Sequence, residues 1–185
     1  MNPTRLLLVD DETAVLSALQ RALRQRFGSA LVVSMCSDAP AALERLRTHD
    51  VDLVISDLRM PVMDGIEFMR RVAVLRPHTV RMILTGSSDF ATAQAAINGA
   101  GVFRYLCKPW QDDELAAHIE AAIAQAGLNA AQREAAQAWQ DRCDAPSAEE
   151  LERRRLEALE PGITHVEWGP DGEVLLPPIT GFGSP

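Results

Sequence analysis

The sequence predicts an α/β fold: a doubly wound, five-stranded parallel sheet, followed by a C-terminal extension with a helix and a β-hairpin. Over the first two thirds of the chain, short apolar runs rich in branched residues alternate with longer amphipathic stretches. Strict alternation of strands and helices implies a parallel sheet with helices on both faces. The apolar runs are nearly continuous, as in strands that are buried on both faces.

Five apolar runs give the predicted strands, and a helical stretch follows each of them. The strands are residues 6–10, 31–35, 51–57, 80–86 and 102–106. The helices are residues 13–27, 39–49, 65–75, 90–100 and 112–126. In the first helix the apolar residues recur at the 3.6-residue spacing of one helix face. The last helix begins with three acidic residues, which the helix dipole favours.

Beyond residue 126 the pattern changes. The alanine-rich stretch 128–142 could prolong the last helix despite Gly127. Ser147 and Glu150 form a capping-box pattern that predicts the start of another helix. Two alternating runs around Gly-Pro-Asp-Gly at 169–172 predict a β-hairpin. The predicted organisation is a main domain over 1–126, a helical extension and linker over 127–146, and an accessory helix with a hairpin tail over 147–185, whose role stays open.

Charge and composition exclude several classes of function. The net charge is -8 and the hydrophobic fraction is 47%, which argues for a globular protein and against a nucleic-acid surface, since such a surface needs clustered basic residues. The three cysteines form no metal or disulfide pattern. No segment approaches the ~20 apolar residues of a membrane span. We expect a soluble cytoplasmic protein that binds neither nucleic acid nor a membrane.

Chemically active residues stand where the predicted strands end. Asp10 ends the first strand and Asp11 follows it, Asp57 ends the third, Thr85 lies at the end of the fourth, and Lys108 follows the fifth. Ligands bind at the carboxyl ends of the strands in doubly wound sheets. If the first strand lies between the second and third, with the fourth and fifth outside, these residues converge on one edge.

The charges at this edge predict a bound cation. Two carboxylates 4 Å apart repel by about 4 kcal/mol at an effective dielectric constant near 20. Mg²⁺ takes one or two carboxylates and leaves room for a phosphate oxygen. The alternative for Asp11 is that it only caps a helix. Lys108 is the only lysine in the sequence, which has seventeen arginines. Its compact ammonium group can reach a single phosphoryl or carboxylate oxygen in a tight pocket.

Four motifs in this order resemble the receiver domain of bacterial two-component response regulators. They are VDDE at 9–12, SDLRMPVMDG at 56–65, LTG at 84–86 and RYLCKPW at 104–110. The similarity covers roughly residues 4–126. It implies a flavodoxin-like sheet with strand order 2-1-3-4-5. It also implies a phosphoacceptor signalling switch rather than an enzyme.

The resemblance implies a role for each residue at this edge. Asp57 would accept a phosphoryl group from a sensor histidine kinase or a phosphotransfer protein. Asp11, Asp57 and the backbone carbonyl of Arg59 would bind Mg²⁺, and Asp10 would act on it directly or through water.

The remaining roles concern the phosphoryl group and the switch. Thr85 would hydrogen-bond a phosphoryl oxygen, and Tyr105 would turn inward as Thr85 moves. Lys108 would pair first with the Asp57 carboxylate and then with the phosphoryl group. Gly86 would leave room for the donor, and Ser87 would tune the lifetime of the phosphorylated state. The peptide bond between Lys108 and Pro109 would be cis.

The output of such a switch is not readable from the sequence, which shows no DNA-binding output domain. One reading is a switch whose strand 4 and strand 5 face controls a downstream protein or the chain's own assembly, including a homodimer through the C-terminal extension. A second is a phosphate shuttle or sink in a phosphorelay. A third is a metal-dependent phosphatase-like enzyme, which the position of Arg59 disfavours because such enzymes usually carry an acid there.

Overall fold

The computed structural model describes residues 3–86 and 101–159 and, in the C-terminal part, residues 167–168, 170–171 and 174–175. Its main sheet contains β1 (Thr4–Val9), β2 (Leu31–Cys36), β3 (Leu53–Asp57), β4 (Val80–Gly86) and β5 (Arg104–Lys108). The strands are parallel and their order is β2-β1-β3-β4-β5. The predicted fold class and strand order are confirmed.

Helices connect and follow these strands. They are α1 (Thr13–Phe27), α2 (Ala39–Thr48), α3 (Gly65–Leu75), α4 (Asp112–Asp144) and α5 (Ala148–Leu159). The side chain of Asp38 caps α2 by accepting from the Ala41 N–H, and Asp64 caps α3 by accepting from the Glu67 N–H. Such caps satisfy N–H groups that lack a partner within the helix. The predicted helix at 90–100 lies outside the described residues.

The hydrophobic core forms two layers, one on each face of the sheet. Leu7 of β1 packs with α2 and α3, whereas Leu6 and Leu8 pack with α1 and α4. Adjacent residues of a strand point to opposite faces, so a strand covered on both sides has to be apolar at every position. Burial on both faces explains the continuous apolar runs of the strands. It also holds the strand ends in place, because each strand is packed between two helical layers.

Four of the five strands differ from their predicted limits. β1 starts two residues earlier and ends one residue earlier than predicted, and β2 ends one residue later. In β3 and β5, polar residues decide where pairing begins and ends. Strand β3 starts at Leu53 rather than at residue 51, and the Asp52 carboxylate before it accepts from the Arg5 N–H at 2.8 Å. Strand β5 runs from Arg104 to Lys108, two residues later than predicted, because Lys108 still pairs with Gly86. Hydrophobicity alone places the end of β5 before the lysine.

A charged cluster lies at the amino ends of the strands. The Arg5 guanidinium donates from Nε to Asp52 Oδ2 at 3.2 Å and from a terminal nitrogen to Oδ1 at 3.0 Å. Arg76 pairs with Asp50 at 3.0 Å. Burial alone would raise the pKa of Asp52, but the hydrogen bonds and charge of Arg5 outweigh burial and lower it. Asp52 is therefore held as a carboxylate.

The chain divides into two compact units, Met1–Ala136 and Gln137–Pro185. In the second unit, Ser147 Oγ accepts from the Glu150 N–H at 3.1 Å and Glu150 Oε2 accepts from the Ser147 N–H at 3.3 Å, which is the predicted capping box. The short antiparallel strands β6 (Glu167–Trp168) and β7 (Val174–Leu175) confirm the predicted hairpin. Within the described residues, no helix has the length and apolar character needed to cross a membrane.

Candidate functional site

The carboxyl ends of β1, β3 and β5 bring Asp10, Asp57 and Lys108 into contact. The Lys108 Nζ lies 2.7 Å from Asp10 Oδ2 and 2.5 Å from Asp57 Oδ1. The three residues come from separate parts of the chain and meet because parallel strands end at a common edge. The predicted convergence of these residues is therefore present in the structure.

Both carboxylates are buried, and each of their four oxygens has a hydrogen-bond or ion-pair partner. Asp10 is 1% exposed and Asp57 is 7% exposed. The second oxygen of Asp10 accepts from the Glu12 N–H at 2.9 Å, and the second oxygen of Asp57 accepts from the Arg59 N–H at 2.7 Å. Each aspartate thus holds the lysine ammonium with one oxygen and a backbone amide two residues ahead with the other. This arrangement offsets the cost of burying two charged groups.

The three groups change each other's protonation. Burial by itself would lower the pKa of Lys108, but its hydrogen bonds to Asp10 and Asp57 outweigh burial and raise it. Burial raises the pKa of Asp10, against the opposing hydrogen bonds from Lys108 and the Glu12 amide. Two carboxylates share one ammonium, so the group carries an excess of negative charge when all three are ionised.

This excess charge and the oxygen donors fit a hard divalent cation. Mg²⁺ prefers carboxylate and carbonyl oxygens, and a further positive charge would oppose the burial that raises the pKa of Asp10. Asp11 follows Asp10 and is exposed. Among the described residues, no three acidic, histidine or cysteine side chains form a group ready to hold a metal ion. The metal-ligand roles of Asp11 and of the Arg59 carbonyl stay predictions.

Thr85 and Gly86 lie at the end of β4, between the strands that carry Asp57 and Lys108. Leu84 pairs with Asp57, and Gly86 pairs with Lys108. Thr85 is buried, and its hydroxyl donates to the Gly86 carbonyl at 3.1 Å. The structure therefore places the predicted hydroxyl donor beside the carboxylate and the ammonium in strand register. Its predicted contact with a phosphoryl oxygen stays a prediction.

The other predicted residues have mixed outcomes. Tyr105 is half-buried on β5, where it pairs with Ile83 of β4. The peptide bond between Lys108 and Pro109 is cis, as predicted. Ser87 lies outside the described residues.

Two features of the site are missing from the sequence-based prediction. Lys108 contacts Asp10 as well as Asp57, whereas pairing with Asp57 is the expected contact. Gly65 is the second: a Cβ added there would lie 2.2 Å from the Asp57 carbonyl oxygen. Only glycine lets α3 start this close to the β3 backbone. The Asp64-Gly65 pair directly before a helical stretch is the signal that could have indicated it.

A family comparison gives an independent result. The model of the response regulator receiver domain matches residues 6–120. These residues contain β2 to β5, β1 from Leu6 onward, and all the site residues discussed above.

Curated relatives match over the same part of the chain. The hydrogenase transcriptional regulatory protein HoxA of Bradyrhizobium diazoefficiens is 39% identical over 118 residues, which cover 64% of this chain and 24% of that regulator. The DNA-binding transcriptional regulator NtrC of Escherichia coli K12 is 34% identical over 116 residues, which cover 63% and 24%. This chain therefore spans about a quarter of the length of these relatives.

Solved structures agree in fold. A structure described as adenylate cyclase from Rhodopirellula baltica is 35% identical with a TM-score of 0.67, and the match covers 73% of this chain and 98% of that one. The signal receiver domain of an HD domain-containing protein from Pseudomonas fluorescens Pf-5 is 35% identical with a TM-score of 0.63, covering 68% and 98%.

Proposed function

Residues 6–120 belong to the response regulator receiver domain family, and we propose that Asp57 of this chain is the residue that accepts the phosphoryl group. Receiver domains are signalling switches that interact with histidine kinases or phosphotransfer proteins. The observation that carries the proposal is the contact of the Lys108 ammonium with Asp10 at 2.7 Å and Asp57 at 2.5 Å. A buried carboxylate with an adjacent cation is what phosphoryl transfer to an acid requires.

The reaction forms a mixed acyl phosphate. A carboxylate oxygen of Asp57 attacks the phosphorus of a phosphohistidine, the P–N bond breaks, and its electron pair stays on the imidazole nitrogen. Lys108 holds one oxygen of Asp57 and the Arg59 amide holds the other, so the carboxylate is fixed in orientation before the donor arrives. Fixed orientation lowers the entropic part of the barrier.

The charge on the transferred group needs compensation. Lys108 supplies one positive charge at the reacting carboxylate. Asp10, Asp11, Asp57 and the carbonyl of Arg59 would hold Mg²⁺, which when bound neutralises charge on the phosphoryl oxygens. Asp10 and Asp11 then have different roles, because buried Asp10 also pairs with the Lys108 ammonium whereas Asp11 is exposed.

The same residues supply a switch. The Thr85 hydroxyl, which donates to the Gly86 carbonyl, would exchange that partner for a phosphoryl oxygen. The end of β4 would then move toward Asp57, and Tyr105 on the neighbouring strand would follow. Gly86 leaves room for the donor, and Ser87 tunes the lifetime of the phosphorylated state. Two sets of contacts in two states are what a population shift requires.

The output partner is a protein or a second copy of this chain, reached through the β4–β5 face or the C-terminal extension. The relatives named above are transcriptional regulators, but this chain spans only a quarter of their length. The absence of a nucleic-acid partner, expected from the net charge, stays a prediction for this chain.

Incubation with phosphoramidate and Mg²⁺ tests the proposal. The intact mass of the wild-type chain is expected to rise by one phosphate, and Asp57→Asn is expected to abolish this gain because the amide is not nucleophilic enough to react. Asp113→Asn, at an exposed position at the start of α4, is the matched control and is expected to behave as wild type. Phosphorylation of the Asp57→Asn chain would contradict the proposal.

A further inference from the structure

A groove between α2 and α3 is separate from the site at the strand ends. Both helices turn their buried residues toward the sheet, where Leu46 of α2 and Phe68 of α3 lie in the core. Partly or fully exposed side chains of the same two helices line a groove of about 520 Å³. The lining residues are Leu43, Arg47, Arg70, Arg71, Val74 and Leu75.

Part of this lining is apolar although it faces water. Val74 is 87% exposed, and Leu43 and Leu75 are half-buried and pack at the edge of the core. A single exposed valine needs no explanation, but Val74 shares one groove with two leucines that the core leaves partly uncovered. Covering these three side chains would remove apolar surface from water, which favours association.

The rest of the lining is basic. Together α2 and α3 contain four arginines and two glutamates, a net charge of +2 in a chain whose net charge is -8. Arg47 pairs with Glu44 and Arg71 pairs with Glu67, and all four side chains are at least 43% exposed. Arg70 has no ion pair in the parts of the chain that the structure describes. Exposed ion pairs contribute little to stability, so these arginines can exchange their glutamates for carboxylates of a partner.

The shape of the groove suits a helix. The walls are α2 with 10 residues and α3 with 11, so they are about 15–17 Å long, the length of about three helical turns. A helix with apolar residues at i, i+3, i+4 and i+7 buries them in such a groove. An extended peptide would instead pair its backbone with an exposed strand edge, and the backbone groups of α2 and α3 are bonded within the helices.

We propose that the groove between α2 and α3 is a docking site for an acidic amphipathic helix of a partner protein. The aliphatic side chains of that helix cover Leu43, Val74 and Leu75, and its carboxylates pair with the arginines. Val74 lies nine residues after the start of α3, about 14 Å along the helix axis, so the docked helix leaves the Asp57 carboxylate accessible. The inference goes beyond the phosphoacceptor role and does not depend on it.

NMR titration of the isotope-labelled full chain tests the inference. The probe is a capped helical peptide of about 14 residues, with leucines on one side and glutamates flanking them, and its control replaces every glutamate with lysine. Arg70→Glu reverses one charge of the groove, and Val74→Glu removes an apolar contact and adds a carboxylate. Arg24→Glu, at an exposed position on α1, is the matched control. Unfolding midpoints check that the three variants stay folded.

We expect the acidic peptide to shift the backbone resonances of α2 and α3, and the lysine peptide to leave them unchanged. The Kd should rise about fivefold in Arg70→Glu and about tenfold in Val74→Glu, and stay within about twofold of wild type in Arg24→Glu. An acidic peptide that shifts no resonance of either helix overturns the inference. An equal response to the lysine peptide, or an equal loss in Arg24→Glu, also overturns it, because the arginines of the groove would then select nothing.

Two other occupants of the groove are separate outcomes of the same titration. A second copy of the chain would make the resonances of α2 and α3 depend on protein concentration in the absence of peptide. A nucleic acid partner would make a single-stranded oligonucleotide shift these resonances more strongly than the acidic peptide does. Either result overturns the inference.

Discussion

Asp52 is the residue whose contribution to stability is expected to depend most clearly on pH. Its pKa is lowered in the folded chain because the hydrogen bonds and charge of Arg5 outweigh burial. A lowered pKa stabilises the fold above the unfolded-state pKa of about 3.9, and this stabilisation is lost as the pH falls through the folded-state value. We expect Asp52→Asn to reduce the free energy of unfolding by about 1 kcal/mol at pH 7, since the pair is partly exposed.

Urea unfolding at pH 7, 5 and 3 measures this contribution. The difference between the wild-type and Asp52→Asn chains should hold from pH 7 to 5 and shrink at pH 3. Asp113→Asn, which removes an exposed carboxylate with no ion pair in the described parts of the chain, should show a smaller difference at pH 7. A difference for Asp52→Asn that stays constant down to pH 3 would show that the ion pair is not its source.

At this scale, the sequence identifies which residues meet but not how they pair. Asp10, Asp57 and Lys108 are predictable because each ends or follows a predicted strand, and parallel strands end at one edge. That Lys108 contacts both aspartates depends on side-chain directions, which spacing does not encode. Val62, in the loop between β3 and α3, has a backbone φ of 69°, which the sequence does not predict because a β-branched residue disfavours this conformation.

Among the elements, α4 and α3 contain glycines with opposite roles. Gly127 lies exposed within α4, and an added Cβ meets nothing within 4 Å. Gly127→Ala is expected to raise the free energy of unfolding by about 0.5–1 kcal/mol, because alanine loses less backbone entropy in a helix. Thermal and urea unfolding of the full chain measure the change.

Gly65→Ala is the opposing variant. Its Cβ would lie 2.2 Å from the Asp57 carbonyl oxygen, so the start of α3 would have to shift from β3. This chain should unfold at lower urea concentration than wild type although alanine has the higher helix propensity. If both glycine variants raised the free energy of unfolding, helix propensity alone would account for them and the close approach at Gly65 would be unimportant.

Element types are predictable where periodicity is strong, but element ends are predictable only where the sequence carries a terminating signal. α1 and α3 begin and end as predicted, because the run of α1 ends at Phe27 before Gly28, whereas Asp64 caps the start of α3 and Arg76-Pro77 follows its last residue. β5 extends further than predicted because a strand pairs through its backbone and can include a lysine. α4 continues through Gly127 because its alanine-rich neighbours favour helix strongly enough to offset one glycine.

For the whole molecule, the buried residues of the described parts all lie between Leu6 and Ala122. A chain that ends at Ala136 is therefore expected to keep its complete core. We predict that its free energy of unfolding changes by less than about 1 kcal/mol, since buried apolar area dominates folding. Circular dichroism during urea unfolding checks this. A clearly lower midpoint would show that the residues after 136 contribute to the stability of the first unit.

The contact of Lys108 with Asp10 and Asp57 has a practical consequence for chemical labelling. With seventeen arginines and a single lysine, the chain offers one side-chain primary amine to acylating reagents. The Lys108 amine lies between two carboxylates, and 19% of its side chain is exposed. Reagents that modify amines but not guanidinium groups would therefore label the α-amino group and Lys108, and labelling of Lys108 would report on the interior of this site.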